Sequence, residues 1–237
     1  IGSNLVFHVD GSWRKTGNAE IGGFQISPEL RGELLEEAAE KQADGELAEA
    51  ADFREDAAQR GFIPNSDMES WTVNAGLGVV LGESTFGAAI GWYDTNYGVI
   101  KRPGLKKEEE EEGGEGGEEE GDENVRIDLQ QFRADFKGDI YLGDGAIERL
   151  KLRVGYSDYT HTEFEGPGEV GTVFDSTSVE ARAELAQNAE GKLRGSTGIQ
   201  YLHRDFSAEG AEAYVPPNLT DQVALFTLQE FGTGPIQ

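Results

Sequence analysis

The stretch that decides the fold is WTVNAGLGVVL, residues 71–81. Its odd-numbered positions are apolar, and most of its even-numbered positions are polar or glycine. This alternation predicts a β-strand with two different faces, because successive side chains of a strand point to opposite sides of the sheet. The apolar set is Trp71, Val73, Ala75, Leu77, Val79 and Leu81, and the opposite set includes Thr72, Asn74, Gly76 and Gly78.

The same alternation recurs along most of the chain. It predicts seven further strands, at 4–14, 86–93, 126–138, 149–157, 178–185, 193–205 and 221–231. In 126–138 the apolar parity changes, which predicts a bulge near Gln130. In 221–231 both parities hold apolar residues. Strands of roughly 9–13 residues suit a membrane, since about 9–11 tilted residues cross a bilayer.

The connections between these strands alternate between long and short. The long ones lie at about 15–70, 97–125, 160–177 and 206–220, and the short ones at 82–84, 139–146, 188–192 and 232–235. Outer-membrane barrels show this pattern, with short periplasmic turns and longer extracellular loops. We therefore expect an all-β fold: an antiparallel transmembrane sheet of about eight long strands. All four long connections should share its extracellular side.

Two of the long connections have a character of their own. In the first, Ser27 can cap a helix and Pro28 suits its first turn, which predicts a helical excursion that continues to about Ala58. Residues 101–124 contain a run of like charges that we expect to be disordered. Residues 16–70 and 101–124 together hold 25 of the 46 acidic residues in a chain whose formal net charge is −26. This excess of acidic residues argues against nucleic acid as a partner, because phosphate binding needs clustered lysine and arginine.

The sequence contains no recognisable set of catalytic residues, and we expect the protein not to be an enzyme. The three histidines lie in separate segments, and no nucleophile–base arrangement accompanies them. The strongest candidate for binding is a metal site formed by Asp158, His161, Glu163 and Glu165. His161, Glu163 and Glu165 point the same way in an extended chain, and one imidazole with carboxylates can hold a divalent cation. The alternative is a polar rim where a strand leaves the membrane.

Eight motifs in order resemble those of TonB-dependent outer-membrane receptors, and among these the zinc-uptake branch most. They are HVDGSWRKT (8–16), IPNSDMESW (63–71), YDTNYGV (93–99), VRIDLQQFRADFKG (125–138), GYSDYTHTEFEG (155–166), EVGTVF (169–174), RDFSAEG (204–210) and EAYVPPN (212–218). The resemblance spans nearly the whole chain. It implies part of a 22-stranded barrel in the outer membrane of a Gram-negative bacterium, with the plug domain and the remaining strands outside this sequence. Eight strands of so wide a barrel cannot close, so the resemblance also implies a sheet open at strands 4–14 and 221–231.

The resemblance also implies a function and partners. Residues 1–237 would belong to a receptor for TonB-dependent uptake of a metal ion or metal chelate, with zinc and siderophores as candidates. Its partners would be outer-membrane lipid and, through the plug, the TonB energy-transducing complex. A transported divalent ion would be cargo, and no resident cofactor is expected. The acidic loop has no histidine, unlike the zinc-type loop. The alternative is a stand-alone eight-stranded barrel with an adhesin or structural role.

Overall fold

The computed structural model describes residues 4–101, 103, 124–188, 190, 193–210 and 213–231. Eight long strands form one antiparallel sheet: β1 (Leu5–Thr16), β4 (Met68–Leu81), β5 (Ser84–Gly98), β6 (Arg126–Tyr141), β7 (Ile147–Gly166), β8 (Glu169–Gln187), β9 (Leu193–Gly210) and β10 (Asn218–Phe231). Each strand pairs with the next in this order, and β1 and β10 occupy the two edges. Among the described residues the sheet is open, which confirms the predicted strand number, order and edges.

The first long connection contains a small unit of its own. The strands β2 (Glu20–Phe24) and β3 (Arg60–Phe62) pair as a two-stranded ribbon. Between them in the chain lie two helices, α1 (Pro28–Asp44) and α2 (Leu47–Ala58). The predicted cap is confirmed, because the backbone N–H of Leu30 donates to Ser27 Oγ at 3.2 Å. The helix breaks at Gly45, whose φ of 87° is a left-handed conformation that favours glycine. Neither helix is long and apolar enough to cross a membrane.

Buried apolar side chains are concentrated in this helical unit rather than in the sheet. Leu34, Ala38, Phe53 and Ala57 form one cluster, with Ile26 packed against it. Ala50 is also buried in this unit, whereas Ile127 and Ala208 are the buried apolar residues of the described strands. On the sheet, by contrast, large apolar side chains are exposed, as Phe7 (60%), Leu77 (48%) and Leu225 (81%) show. The sheet therefore has no apolar core between two layers in the described part of the chain.

The strands are longer than the alternation predicted, and this corrects two expectations. Residues 160–177 do not form a long connection, because β7 and β8 continue to a two-residue turn at 167–168. The connection expected at 206–220 shortens to 211–217, since β9 runs to Gly210. All three strands continue where their pattern of apolar and polar residues changes, which hid their ends from a search for alternation.

The bulge predicted near Gln130 is also wrong. Strand β6 keeps an unbroken register with both neighbours through Leu129, Gln130 and Gln131. The change of parity arises because Leu129 and Ile127 are apolar residues on the face that is polar elsewhere. The strand continues straight, and it is the chemistry of its two faces that changes.

The antiparallel order places the four connections at 17–67, 99–125, 167–168 and 211–217 at one end of the sheet, hereafter the loop end. The turns at 82–83, 142–146 and 188–192 lie at the opposite end. This confirms the expected grouping of connections by side. The acidic run lies mostly at 104–123, outside the described residues, so its predicted disorder stays a prediction.

Candidate functional site

One face of the sheet is apolar across all eight strands. Its register rows join apolar side chains from strand to strand, for example Phe7–Leu77–Ala88–Phe136 and, in the same row, Val154–Ala181–Tyr201–Val223. We call this surface the apolar face. It holds both of the predicted apolar sets, the one with Val73, Leu77 and Val79 and the one with Leu150, Leu152 and Val154. A continuous exposed apolar surface of this extent marks contact with a membrane or a partner protein.

The continuous apolar rows end toward the loop end at a border, beyond which Phe164, Val173 and Leu219 are isolated apolar residues of the same face. Four pairs of apolar neighbours in register form the border, and each pair is followed by polar residues two positions on. The pairs are Trp13–Trp71, Trp92–Phe132, Tyr156–Val179 and Tyr201–Val223. The polar residues that follow are Lys15 and Glu69, Asp94 and Gln130, Asp158 and Thr177, and His203 and Asp221.

This border crosses the strands diagonally. Trp71 stands opposite Asp94, Phe132 opposite Asp158, and Val179 opposite His203. The border therefore moves by two residues at every second strand, an average of one residue per strand. All three tryptophans of the chain lie on it, and Trp92, Phe132 and Tyr156 form a chain of rings with centroids 6.5 and 6.2 Å apart.

The opposite face of the sheet, the polar face, carries most of the ion pairs of the long strands. Arg149 pairs with Asp139 at 2.8 Å, Arg182 with Glu184 at 2.9 Å, and Arg194 with Glu230 at 2.9 Å. Phe226 also lies on this face, against Gly198 and with the Arg182 guanidinium 4.0 Å from its ring centre. That packing explains the apolar residues of both parities in β10.

A clasp of polar side chains joins two long connections at the loop end. Asn65 Nδ2 donates to the carbonyls of Val99 and Val125 at 2.9 and 2.8 Å. Arg126 donates to both carboxylate oxygens of Asp67 at 3.2 and 3.1 Å and to Asn96 Oδ1. The clasp thus fixes the base of the helical connection against the base of the acidic one.

The electrostatics of the clasp favour its charged form. The Arg126 guanidinium, through its hydrogen bonds, holds the pKa of the Asp67 carboxyl below its ordinary value. Asn65 has a φ of 53°, a left-handed conformation that asparagine tolerates better than most residues. Sequence reasoning missed this clasp, because Asn65, Asp67, Asn96 and Arg126 are far apart in the chain.

The predicted metal-site residues divide between the two faces. His161 and Glu163 lie on the polar face near the loop end, with His161 Nε2 3.5 Å from Glu163 Oε1. Glu165 follows on the same strand, and its carboxylate lies across Gly171. Asp158 lies on the apolar face just beyond the border, where Thr177 Oγ1 donates to it at 3.4 Å. Asp158 and His161 therefore lie on opposite faces of the sheet, because the two differ in strand parity.

His161 is held by aromatic neighbours. Tyr159 Oη lies 2.8 Å from His161 Nδ1, and the imidazole ring lies 4.4 Å from the ring of Phe174. His161 Nε2 is buried and has no hydrogen-bond partner among the described residues, and the same holds for Thr172 Oγ1. Within the described ranges, no three histidine, aspartate or glutamate side chains stand close enough together to hold a metal ion. The structure thus supplies one oriented imidazole with one nearby carboxylate.

No known protein-family model matches the chain.

Proposed function

We propose that the chain is the β-barrel portion of an outer-membrane transporter that takes up a metal ion or metal chelate, in the manner of the TonB-dependent receptors whose motifs it resembles. The observation that carries the proposal is the diagonal aromatic border of an exposed apolar face. Tryptophan and tyrosine are enriched where membrane proteins pass from hydrocarbon to water, because their rings are amphipathic. A row of them with charged residues directly beyond it fits such an interface.

The slope of the border supports a membrane in particular. A shift of one residue per strand, with a rise of about 3.4 Å per residue and about 4.8 Å between strands, corresponds to a strand tilt of about 35°. Strands of outer-membrane barrels tilt by about 35–45° relative to the membrane normal. If the border is level with the membrane surface, the strands of this sheet have that tilt.

The height of the apolar band supports the same proposal. Polar residues bound the band at Ser84 and Asp94 on β5 and at Thr177 and Gln187 on β8, with nine residues between the members of each pair. At the tilt derived above, this separation spans about 27 Å along the membrane normal, against roughly 25 Å for the apolar band of outer-membrane barrels. The band therefore has the same height on these two strands.

The placement of the three tryptophans allows a direct test. In the chain refolded into bilayers, we expect lipids brominated in the acyl chain to quench most of the tryptophan emission. Shallow bromine positions should quench more than deep ones, because Trp13, Trp71 and Trp92 lie at the border rather than in mid-band.

The control is the same chain in unbrominated lipid, with aqueous iodide as the quencher. Variants that retain one tryptophan at a time should give depths for Trp71 and Trp92 that differ by only about 3 Å, because the strand tilt offsets part of the two-residue step, about 7 Å, that register places between them. Strong iodide quenching together with weak bromine quenching would contradict the membrane proposal.

Metal recognition at His161 is the second part of the proposal. Zinc prefers imidazole nitrogen, and the unpartnered Nε2 beside Glu163 offers one nitrogen and one oxygen ligand. In calorimetric titration with zinc of the chain in detergent, His161→Ala should weaken binding by at least about tenfold, in line with the loss of a metal ligand.

The matched control is His203→Ala, which removes the imidazole on the apolar face that contacts Asp221. This variant should leave zinc affinity unchanged. If His161→Ala also leaves it unchanged, the segment around His161 is a polar and aromatic rim, and the zinc assignment fails.

A further inference from the structure

Three cations stand side by side on the polar face. Lys137, Arg153 and Arg182 are direct register partners on β6, β7 and β8, and Gln200 follows them on β9. Like charges placed directly opposite one another destabilise a sheet. We call Lys137, Arg153 and Arg182 the basic row. It stands out in a chain with 46 acidic and 20 basic residues.

The neighbouring acids leave two members of this row without an ion pair, because only Glu184 pairs with the row and the other acids have partners outside it. Asp135 lies 3.8 Å from Arg133, Asp139 lies 2.8 Å from Arg149, and Glu180 accepts a hydrogen bond from Gln200. Glu184 pairs with Arg182 at 2.9 Å. Lys137 and Arg153 consequently have no ion-pair partner in the part of the chain that the structure describes, and both side chains are exposed.

The space above the row suits a ligand. A groove of about 500 Å³ is lined by all three cations, by Arg133 and Gln200, and by three carboxylates, those of Asp135, Glu180 and Glu184. Small-molecule sites commonly measure about 300–1,000 Å³. The groove offers two guanidinium groups, which bind carboxylate or phosphate with two parallel hydrogen bonds, and an ammonium group beside them.

We infer that the basic row binds an anionic small molecule that carries several carboxylate groups, the form in which a polycarboxylate chelator presents a metal. Such a ligand relieves the repulsion among the three cations by placing negative charge between them. The inference rests on the proposed transport role and narrows its cargo to an anionic chelate. Nonspecific electrostatic attraction between the whole protein and the ligand cannot account for binding, because the net charge of −26 opposes the approach of any anion.

Citrate alone is the probe, titrated calorimetrically into the chain in detergent. We expect saturable binding that weakens as salt is added, because the contacts are partly exposed ion pairs. The double variant Lys137→Gln/Arg153→Gln should lose at least about tenfold in affinity, the equivalent of about 1.4 kcal/mol. In the absence of citrate the same variant should be at least as stable as the parent chain, because a repulsive contact has been removed.

Arg14→Gln is the matched control. Arg14 lies on the same face, its register partner is Ser70 rather than another cation, and the substitution removes the same charge. It should change citrate affinity less than twofold. Failure of citrate to bind, or equal losses in the control and the double variant, would overturn the site.

The two experiments distinguish failure of the membrane proposal from failure of the anion site. Citrate binding without quenching by brominated lipid would overturn the membrane role and leave the anion site standing. Quenching without citrate binding at the basic row would overturn only the anion site.

Discussion

Replacing Val154 with arginine is expected to lower the free energy of unfolding from a bilayer by about 2–4 kcal/mol, the cost of a cation on the lipid face at mid-depth. Val154 lies in the middle of the apolar band, in register with Phe136 and Ala181, and is 41% exposed. In a soluble sheet the same substitution at such an exposed position would have little effect. Urea titration of the chain in lipid vesicles measures the difference.

Thr160→Arg provides the control on the same strand and the same face. Thr160 lies beyond the border and pairs in register with Asp175, whose carboxylate could contact the new guanidinium. The expected cost is at most about 1 kcal/mol, because the penalty falls toward the interface. Equal effects at Val154 and Thr160 would argue against a bilayer on this face.

Gly98→Ala is expected to lower the free energy of unfolding by about 3 kcal/mol, through overpacking and lost hydrogen bonds. A methyl group at Gly98 would overlap both the side chain and the backbone carbonyl of Asn65. Asn65 would have to move, and its bonds to the carbonyls of Val99 and Val125 would break. Denaturant titration gives the free energy, and amide hydrogen exchange at Val99 shows whether the clasp opens.

Gly87→Ala, on the same strand, separates this effect from a general effect of alanine. A methyl group at Gly87 would lie 3.8 Å from the nearest atom outside its chain neighbours, an ordinary contact. Stability should stay the same or rise by up to about 1 kcal/mol, because alanine restricts the unfolded chain. Comparable losses at the two glycines would show that Asn65 does not depend on the space at Gly98.

The alternation of residues such as Val73, Leu77, Leu150 and Leu152 predicted the strands and their common face, because period two is a local property of the chain. The same local signal failed beyond the border. There Ile127 and Leu129 are apolar on the opposite face, which the pattern search took for a bulge, and it ended β7, β8 and β9 too early. The parity of Asp158 was readable from the sequence and already separated it from His161.

The diagonal border and the basic row could not be predicted from the sequence, because both depend on register between strands. Trp71 and Asp94 become neighbours only through the pairing of β4 with β5. Lys137, Arg153 and Arg182 each sit in a strand of ordinary composition, and only two pairings bring them into one row. Register is set by turn lengths and by packing of whole faces, which no short stretch of sequence contains.

The helical connection enters and leaves the sheet at one point. Thr16 and Met68 are direct register partners, and beyond them Ser66 accepts from the backbone N–H of Ala19 and donates to the carbonyl of Ile63. The helices pack on each other around their own apolar cluster. The connection at 17–67 is therefore a self-contained insertion between two strands. A short hairpin turn could replace it without changing the register of any strand. Sequence variation can therefore accumulate there while the sheet stays constant.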